Sequence, residues 1–156
     1  MMPGVEIQSH DVAEQTSKAI RALRTAAAHV ERTIARALEP HGVTTAQFAA
    51  LHILHDAKVE SLGCSEIGQR LAGPAPDVTR LLDRLAAAGL VSRDRSESDR
   101  RIVQTRITAA GLLLVHTAMP SVRDAEERAL AGLDPGNRES LTALLAGIQR
   151  NCPGQS

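Results

Sequence analysis

The stretch from Asp77 to Gly111 places the strongest constraint on how this chain can fold. In its first part, apolar residues recur at helical spacing until Gly89, and glycine commonly ends helices. Its second part holds two short runs of strand-forming residues, 91–95 and 102–107, on either side of an arginine-rich polar turn. The stretch therefore predicts an amphipathic helix followed by a charged β-hairpin.

A short helix is predicted just before this stretch. Residues 65–71 follow a helical pattern, and the five residues after them, 72–76, include one glycine and two prolines. Such a segment makes a tight connection between two helices. The order helix, tight connection, helix, hairpin is the layout of a winged helix-turn-helix, a module that reads DNA.

Two helices are predicted ahead of this module. Apolar residues at three- and four-residue steps from Ile20 to Leu38 form one stripe, so we expect a long first helix that ends at Pro40. A second helix is predicted from about Thr45 to Asp56. Its inward residues are Phe48, Leu51 and Leu54 or Ile53.

Two more helices are predicted after the hairpin. Thr108 has the residue type of an N-cap for the first of them, and Pro120 should kink or break that helix. Asp134 and Pro135 suit an N-cap and a first helical position, so they begin the last helix. Its apolar stripe consists of Leu141, Leu144, Leu145 and Ile148.

Composition favours one compact domain with an aliphatic core. The chain has 156 residues, of which 43% are hydrophobic, so it can bury a single substantial core. It has no Trp or Tyr, and its single Phe is Phe48, which favours close helix packing over a large cavity for an aromatic cofactor. The formal net charge is zero, yet one segment concentrates positive charge. Its arginines are Arg80, Arg84, Arg93, Arg95, Arg100, Arg101 and Arg106.

Several classes of protein do not fit the sequence. No apolar run approaches the ~20 residues of a membrane span and the first residues lack a signal-peptide pattern, so we expect a cytoplasmic protein with no membrane partner. Two cysteines in different sequence settings do not resemble a secreted disulfide framework. The chain has no Gly-rich phosphate loop, His-Glu-x-x-His, nucleophile elbow or Cys-x-x-Cys, so we expect neither an enzyme nor a cofactor.

Four motifs in this order resemble those of the MarR family of bacterial transcription regulators. Residues 44–51 match the opening of the family's second helix, Thr-x-x-Gln-Phe, and residues 79–81 with 89–93 match the recognition helix and its exit. The wing signature is Asp-x-Arg before a strand that ends in Ile-Thr, with a glycine three residues later. It is met by Asp99, Arg101, Ile107, Thr108 and Gly111. The motifs cover roughly residues 40–111, and the flanking helices fit by pattern only.

The resemblance implies a mainly α fold with a small β-hairpin wing, in which a winged helix-turn-helix is flanked by N- and C-terminal dimerisation helices. We expect one domain, 1–156, with dimerisation helices at about 18–39 and 109–151 and a DNA-binding lobe at about 44–108. The resemblance also implies a homodimeric repressor that binds a palindromic operator in double-stranded DNA and is released by a small-molecule effector. Two alternatives stay open: the flanking stripes close a monomeric bundle, or the winged helix docks on a protein partner.

The N-terminal part of a recognition helix enters the major groove, so contacts to base edges are predicted there. Arg80 is the main base-reading candidate, and Thr79 can contact phosphate or a thymine methyl. Asp77 is predicted to cap the helix rather than to accept from a base. Arg84 has two interpretations, a DNA contact or a surface pair with Asp83. The remaining candidates near the bases are Pro74, Ala75 and Pro76.

The wing supplies the second group of predicted DNA contacts. By the family resemblance Arg101 enters the minor groove, where A·T-rich sequence concentrates negative potential, and Asp99 holds its guanidinium in place. The other arginines of the hairpin either contact phosphates or are solvated charges. They are Arg93, Arg95 and Arg100.

The family's effector pocket lies between the dimer helices and the DNA-binding lobe. The residues predicted to line it are His29, Phe48, His52 and His116. No cysteine stands at ligand spacing beside the histidines, so no metal site is predicted. Cys64 is a redox candidate because a helix start favours thiolate. Glu66 opposes that charge, and a passive small residue is the favoured interpretation of Cys64.

Overall fold

The computed structural model describes residues 6–57, 59–71, 77–95 and 103–150. Helices dominate this part of the chain, and three short strands form one sheet. In chain order the elements are α1 (Glu6–Leu38), α2 (Thr45–Asp56), β1 (Leu62–Gly63), α3 (Cys64–Arg70), α4 (Val78–Ala87), β2 (Val91–Arg95), β3 (Val103–Ile107), α5 (Ala109–Ala129) and α6 (Pro135–Arg150), with a 3₁₀ turn at Glu39–His41. The predicted fold class, mainly α with a hairpin wing, is confirmed.

A reciprocal cap starts α2. The Thr44 hydroxyl accepts a hydrogen bond from the backbone N–H of Gln47 at 3.2 Å, and the Gln47 side chain accepts one from the backbone N–H of Thr44 at 2.9 Å. Two N–H groups that have no partner within the helix are thereby satisfied. The helix then spans Thr45–Asp56 as predicted, with Phe48, Leu51 and Leu54 buried.

The hairpin has the predicted strands and gains a third. Strands β2 and β3 are antiparallel, with Val91 opposite Ile107. Strand β1 pairs with the other side of β3, with Leu62 opposite Thr105, so β3 is the central strand. The sequence pattern does not predict β1, because two residues are too few to show the alternation of a strand.

Two groups of buried residues form the core. The larger one joins α2, α3, α4, the sheet and α5. It contains Ala50, Leu51, Leu54, Leu62, Ile67, Leu81, Leu82, Leu85, Val91 and Val115. The smaller one, where α1, α2 and α5 meet, contains Leu38, Phe48, Ala118 and Val122. Since α5 contributes to both, it connects the winged-helix lobe to the long first helix.

Two helices differ from their predicted extent. Helix α1 begins at Glu6, well before the predicted start near residue 18, because no Gly or Pro interrupts residues 6–38 and helix propensity extends it beyond its apolar stripe. Helix α5 runs through Pro120 without a break. The proline removes one backbone hydrogen bond, but breaking the helix there would unpack Ala118 and Val122, which are both buried.

Candidate nucleic-acid interface

Helix α4 separates a buried face from a polar face. Leu81, Leu82 and Leu85 are buried in the larger core group. Thr79, Arg80, Asp83 and Arg84 are exposed on the other side. This division is the predicted one, and it presents two guanidinium groups one helical turn apart on the exposed face of the helix.

The start of α4 is fixed by two side-chain contacts. The Asp77 carboxylate accepts a hydrogen bond from the backbone N–H of Arg80 at 3.2 Å, so Asp77 caps the helix as predicted. The Thr79 hydroxyl lies 3.6 Å from the Cys64 sulfur, at the start of α3. Cys64 therefore contributes to the contact between the two helices of the helix-turn-helix, and its partial burial fits the interpretation as a small packing residue.

Asp83 pairs with an arginine of the wing. The Arg93 guanidinium, on β2, donates to the Asp83 carboxylate. The Arg93 side chain is only 17% exposed, whereas that of Asp83 is 59% exposed. Asp83 therefore forms an ion pair with Arg93, whereas the sequence suggested Arg84 as its surface partner. This contact joins the exposed face of α4 to the hairpin.

Thr108 connects three elements where the wing ends. Its hydroxyl donates to the Gly89 carbonyl at 2.7 Å and accepts from the Gly111 backbone N–H at 3.1 Å. Its backbone N–H donates to the Leu90 carbonyl at 3.1 Å. Thr108 is therefore the N-cap of α5, as predicted, and it also binds the exit of α4, where Gly89 has a φ of +71°.

Part of the predicted interface lies outside the described residues. This holds for the predicted base-edge contacts before α4 and for the tip of the wing. The residues concerned are Pro74, Ala75, Pro76, Asp99, Arg100 and Arg101. Arg95 is the last residue of β2, and its side chain also lies outside the described part.

Two adjoining cavities lie beside α5. One, of about 400 Å³, has an apolar floor that includes Ile34, Phe48 and Val122, with charged and polar groups at its edge. The latter are Glu31, Thr45, His52, Arg123 and Glu126. The other, of about 600 Å³, is lined by His116, Met119, Pro120, Arg123, Asp124 and Glu127. Both share Met119 and Arg123, and together they include three of the four predicted pocket residues, whereas His29 is exposed on α1 and lines neither.

Histidine rings form a chain between α2 and α5. His52 and His55 are stacked with ring centroids 6.1 Å apart, and His55 meets His116 edge-on at 5.3 Å. The His55 imidazole is 2.8 Å from the Asp56 carboxylate, and this hydrogen bond lowers the pKa of Asp56 from its ordinary value. Within the described residues, no group of His, Cys, Asp and Glu has the arrangement to hold a metal ion.

Comparison with known proteins identifies the family. A model described as the MarR family matches residues 43–103, from the residue before the α2 cap to the start of β3. An uncharacterized HTH-type transcriptional regulator of Bacillus subtilis strain 168, YkoM, is 31% identical over 110 residues. This match covers 69% of the present chain and 70% of the relative. The chain belongs to the MarR family.

Solved structures of MarR-family proteins share the fold. A cysteine-to-serine mutant of E. coli MarR complexed with operator DNA has a TM-score of 0.75 at 25% identity, over 82% of this chain and 91% of that one. BpsR of Bordetella bronchiseptica, whose DNA binding is regulated by 6-hydroxynicotinic acid, has a TM-score of 0.77 at 23% identity, over 85% and 98%. The present chain is a transcription regulator with a DNA-binding winged helix. Among the described helices, none is long and apolar enough to cross a membrane.

Two MarR-family motifs now have a structural reason. The Thr-x-x-Gln-Phe motif forms the reciprocal cap of Thr44 and Gln47, and the Ile-Thr end of the wing strand places Thr108 at the junction of α4, β3 and α5. Sequence reasoning missed the contact between Asp83 and Arg93. The sequence shows only that the two residues have opposite charges and are ten residues apart. Several other arginines in the same segment could equally have paired with Asp83.

Proposed function

We propose that this protein is a homodimeric repressor that binds a palindromic operator in double-stranded DNA and is released by a small molecule. The exposed face of α4 carries this proposal. Arg80 and Arg84 extend from a DNA-binding fold and are exposed, so both side chains are accessible to a strongly negative partner. Related MarR bound to operator DNA supports the same type of partner.

The proposed roles of the contact residues follow from their positions. Arg80, in the first turn of α4, reads guanine in the major groove, while Thr79 contacts phosphate or a thymine methyl. Arg84, one turn further along, contacts phosphate. In the wing, Arg101 enters the minor groove and Asp99 orients it. Pro74, Ala75, Pro76, Arg95 and Arg100 complete the proposed contact surface.

Helix α6 supports the proposed homodimer. It has no buried residue, although its stripe contains four aliphatic side chains. Leu144 is 70% exposed and Ile148 is 48% exposed, and Ile20 on α1 is 49% exposed. A second copy of the chain would cover these faces, since symmetric oligomers use the same patch on both subunits. Such a dimer would place two recognition helices about 34–36 Å apart, one turn of DNA.

The cavities beside α5 are the proposed effector site. The smaller cavity lies between α1, α2 and α5, so a ligand there would contact both the long helix and the winged-helix lobe. The larger one adjoins it and is lined by residues of α5. BpsR responds to 6-hydroxynicotinic acid, which makes that compound the first probe. If the compound releases DNA from this protein, His52→Ala should raise the concentration required. His29→Ala is the matched control, because that histidine lines neither cavity. An effect of His29→Ala alone would place the ligand elsewhere.

Selection from a random double-stranded DNA library tests the main proposal. The unmodified protein should enrich a palindrome with half-sites about 10 base pairs apart. Affinity for the selected DNA should fall steeply with salt, since each phosphate contact releases counterions. No enrichment at low salt would contradict the proposed function. It would instead favour a winged helix that docks on a protein.

A further inference from the structure

We propose that Arg93 is a positioning residue, which fixes the wing against the recognition helix and cancels the charge of Asp83 on the DNA-facing side. This inference rests on the proposed DNA binding. It assigns Arg93 a role inside the protein, in place of the phosphate contact or solvated charge that its sequence position left open.

The low exposure of the Arg93 side chain indicates that the protein holds it in place. Its guanidinium donates to Asp83, and the side chain is 17% exposed. Arginine clamps on phosphate need an exposed guanidinium, as Arg80 and Arg84 have. Rotating Arg93 out to DNA would break the ion pair and expose a side chain that is now mostly buried.

The register of the sheet places Arg93 over the central strand. Arg93 is opposite Thr105, which is fully buried on β3. Side chains of opposite residues lie on the same face of a sheet. Arg93 Nε and Thr105 Oγ1 are both buried, and neither has a hydrogen-bond partner in the described part of the chain. The Nε therefore lies inside the protein, so the guanidinium reaches Asp83 from the sheet and not from solvent.

The pair also resolves an electrostatic conflict on α4. Asp83 is exposed and lies between two residues proposed to meet DNA, Arg80 and Arg84. An unpaired carboxylate at this position would repel phosphate. With Arg93 donating to it, the helix presents Asp83 as a neutralised group, and the same bond holds β2 at a set distance from α4.

Variants that replace a charged group by a neutral amide separate a positioning residue from a phosphate contact. Asp83→Asn removes a negative charge near DNA, so it would tighten binding or leave it unchanged if Arg93 were free to contact phosphate. If the two residues form a positioning pair, Asp83→Asn and Arg93→Gln should each weaken binding to the selected DNA by about fivefold. The double variant should bind this DNA at least as tightly as the weaker-binding single variant, because both changes remove the same contact. The slope of log affinity against log salt should stay unchanged for Arg93→Gln. In the matched control Arg84→Gln it should fall by about 0.9.

Amide hydrogen exchange of the DNA-free protein provides a second readout. Amides of Val103–Ile107 should exchange faster in both Asp83→Asn and Arg93→Gln, because the wing loses its tie to α4. Amides of Thr45–Asp56 should keep their protection and report that the fold is intact. The exchange measurement needs no DNA. It therefore tests the role of Arg93 separately from the proposed DNA binding.

Two results would overturn the inference. One is unchanged wing exchange in both variants. The other is tighter or equal DNA binding by Asp83→Asn together with a lower salt slope for Arg93→Gln, which would make Arg93 a phosphate contact.

Discussion

The Leu90 carbonyl oxygen lies directly against Gly111, so that a β-carbon built on this glycine would be 2.2 Å from that oxygen. The same β-carbon would be 2.8 Å from the Ile107 side chain. Leu90 follows the recognition helix and Ile107 ends the wing strand, so the first turn of α5 is packed against both. The glycine of the wing signature is thus required by space and not by backbone conformation.

Gly111→Ala should destabilise the protein, by about 1–3 kcal/mol or more, because backbone atoms must move to admit one methyl group. At an unobstructed helical site the same change stabilises by up to about 1 kcal/mol, so the expected sign is reversed here. Gly132→Ala, in the turn between α5 and α6, is the control for the added methyl group, since nothing lies within 4 Å of its added β-carbon. Urea unfolding of both variants checks the difference. Equal free energies of unfolding would contradict the close packing at Gly111.

Thr108→Val should destabilise the protein by about 1–2 kcal/mol, because it keeps the side-chain shape and removes the hydroxyl. The lost bonds are the donation to Gly89 and the cap to Gly111. Thr108→Ser keeps both bonds and should cost far less. Chemical denaturation of the two variants makes the comparison. A Thr108→Val variant as stable as Thr108→Ser would contradict a stabilising role of the hydroxyl bonds.

Local patterns predicted those parts of the fold that depend on neighbours in sequence. The two faces of α4, the Asp77 and Thr108 caps and the β2–β3 pairing all follow from periodicity and residue type within a few positions. Strand β1 and the bond from Arg93 to Asp83 do not, because each depends on which segments the tertiary fold brings together. The unbroken α5 likewise reflects packing on both sides of Pro120, which outweighs the local cost of proline.

In the candidate site, too, only the features that depend on neighbours in sequence could be predicted. The exposed arginines of α4 follow from helical spacing alone. Phe48 and His52, two residues predicted for an effector pocket, line the cavity of about 400 Å³. Its acidic and basic residues Glu31, Arg123 and Glu126 come from helices far apart in sequence. No local pattern marks them, so their meeting depends on how α1 and α5 cross.

Arg80→Ala should relax sequence preference as well as lower affinity, by about 1–3 kcal/mol for the selected DNA, because a bidentate contact to guanine is lost. Arg84→Ala should lower affinity by similar factors for selected and random DNA, as expected for phosphate contact. Parallel titrations with both DNAs at one salt concentration separate the two roles. Equal losses for both DNAs in Arg80→Ala would remove its base-reading role.

Arg101→Ala should weaken binding to the selected DNA by about 1–3 kcal/mol, and Asp99→Ala by less, if the acid only orients the arginine. Both residues belong to a turn that is predicted from its polar sequence, so we expect thermal unfolding to be unchanged in each variant. A gel-shift titration at fixed salt makes the measurement. Undiminished affinity of Arg101→Ala would exclude Arg101 as a minor-groove contact.

Leu144→Glu should convert a dimer into a folded monomer that has lost tight binding to the palindrome. Leu144 is 70% exposed in the single chain, so a charge there is harmless unless a partner buries it. Ala143→Glu is the matched control. Ala143 is exposed and lies about 100° around the helix from Leu144, on the side away from the apolar stripe. Sedimentation at micromolar concentration should give dimer for the unmodified protein and for Ala143→Glu, and monomer with native circular dichroism for Leu144→Glu. A well-folded monomer of the unmodified protein that still binds the palindrome tightly would refute the dimer, and with it the pairing of two recognition helices across one turn of DNA.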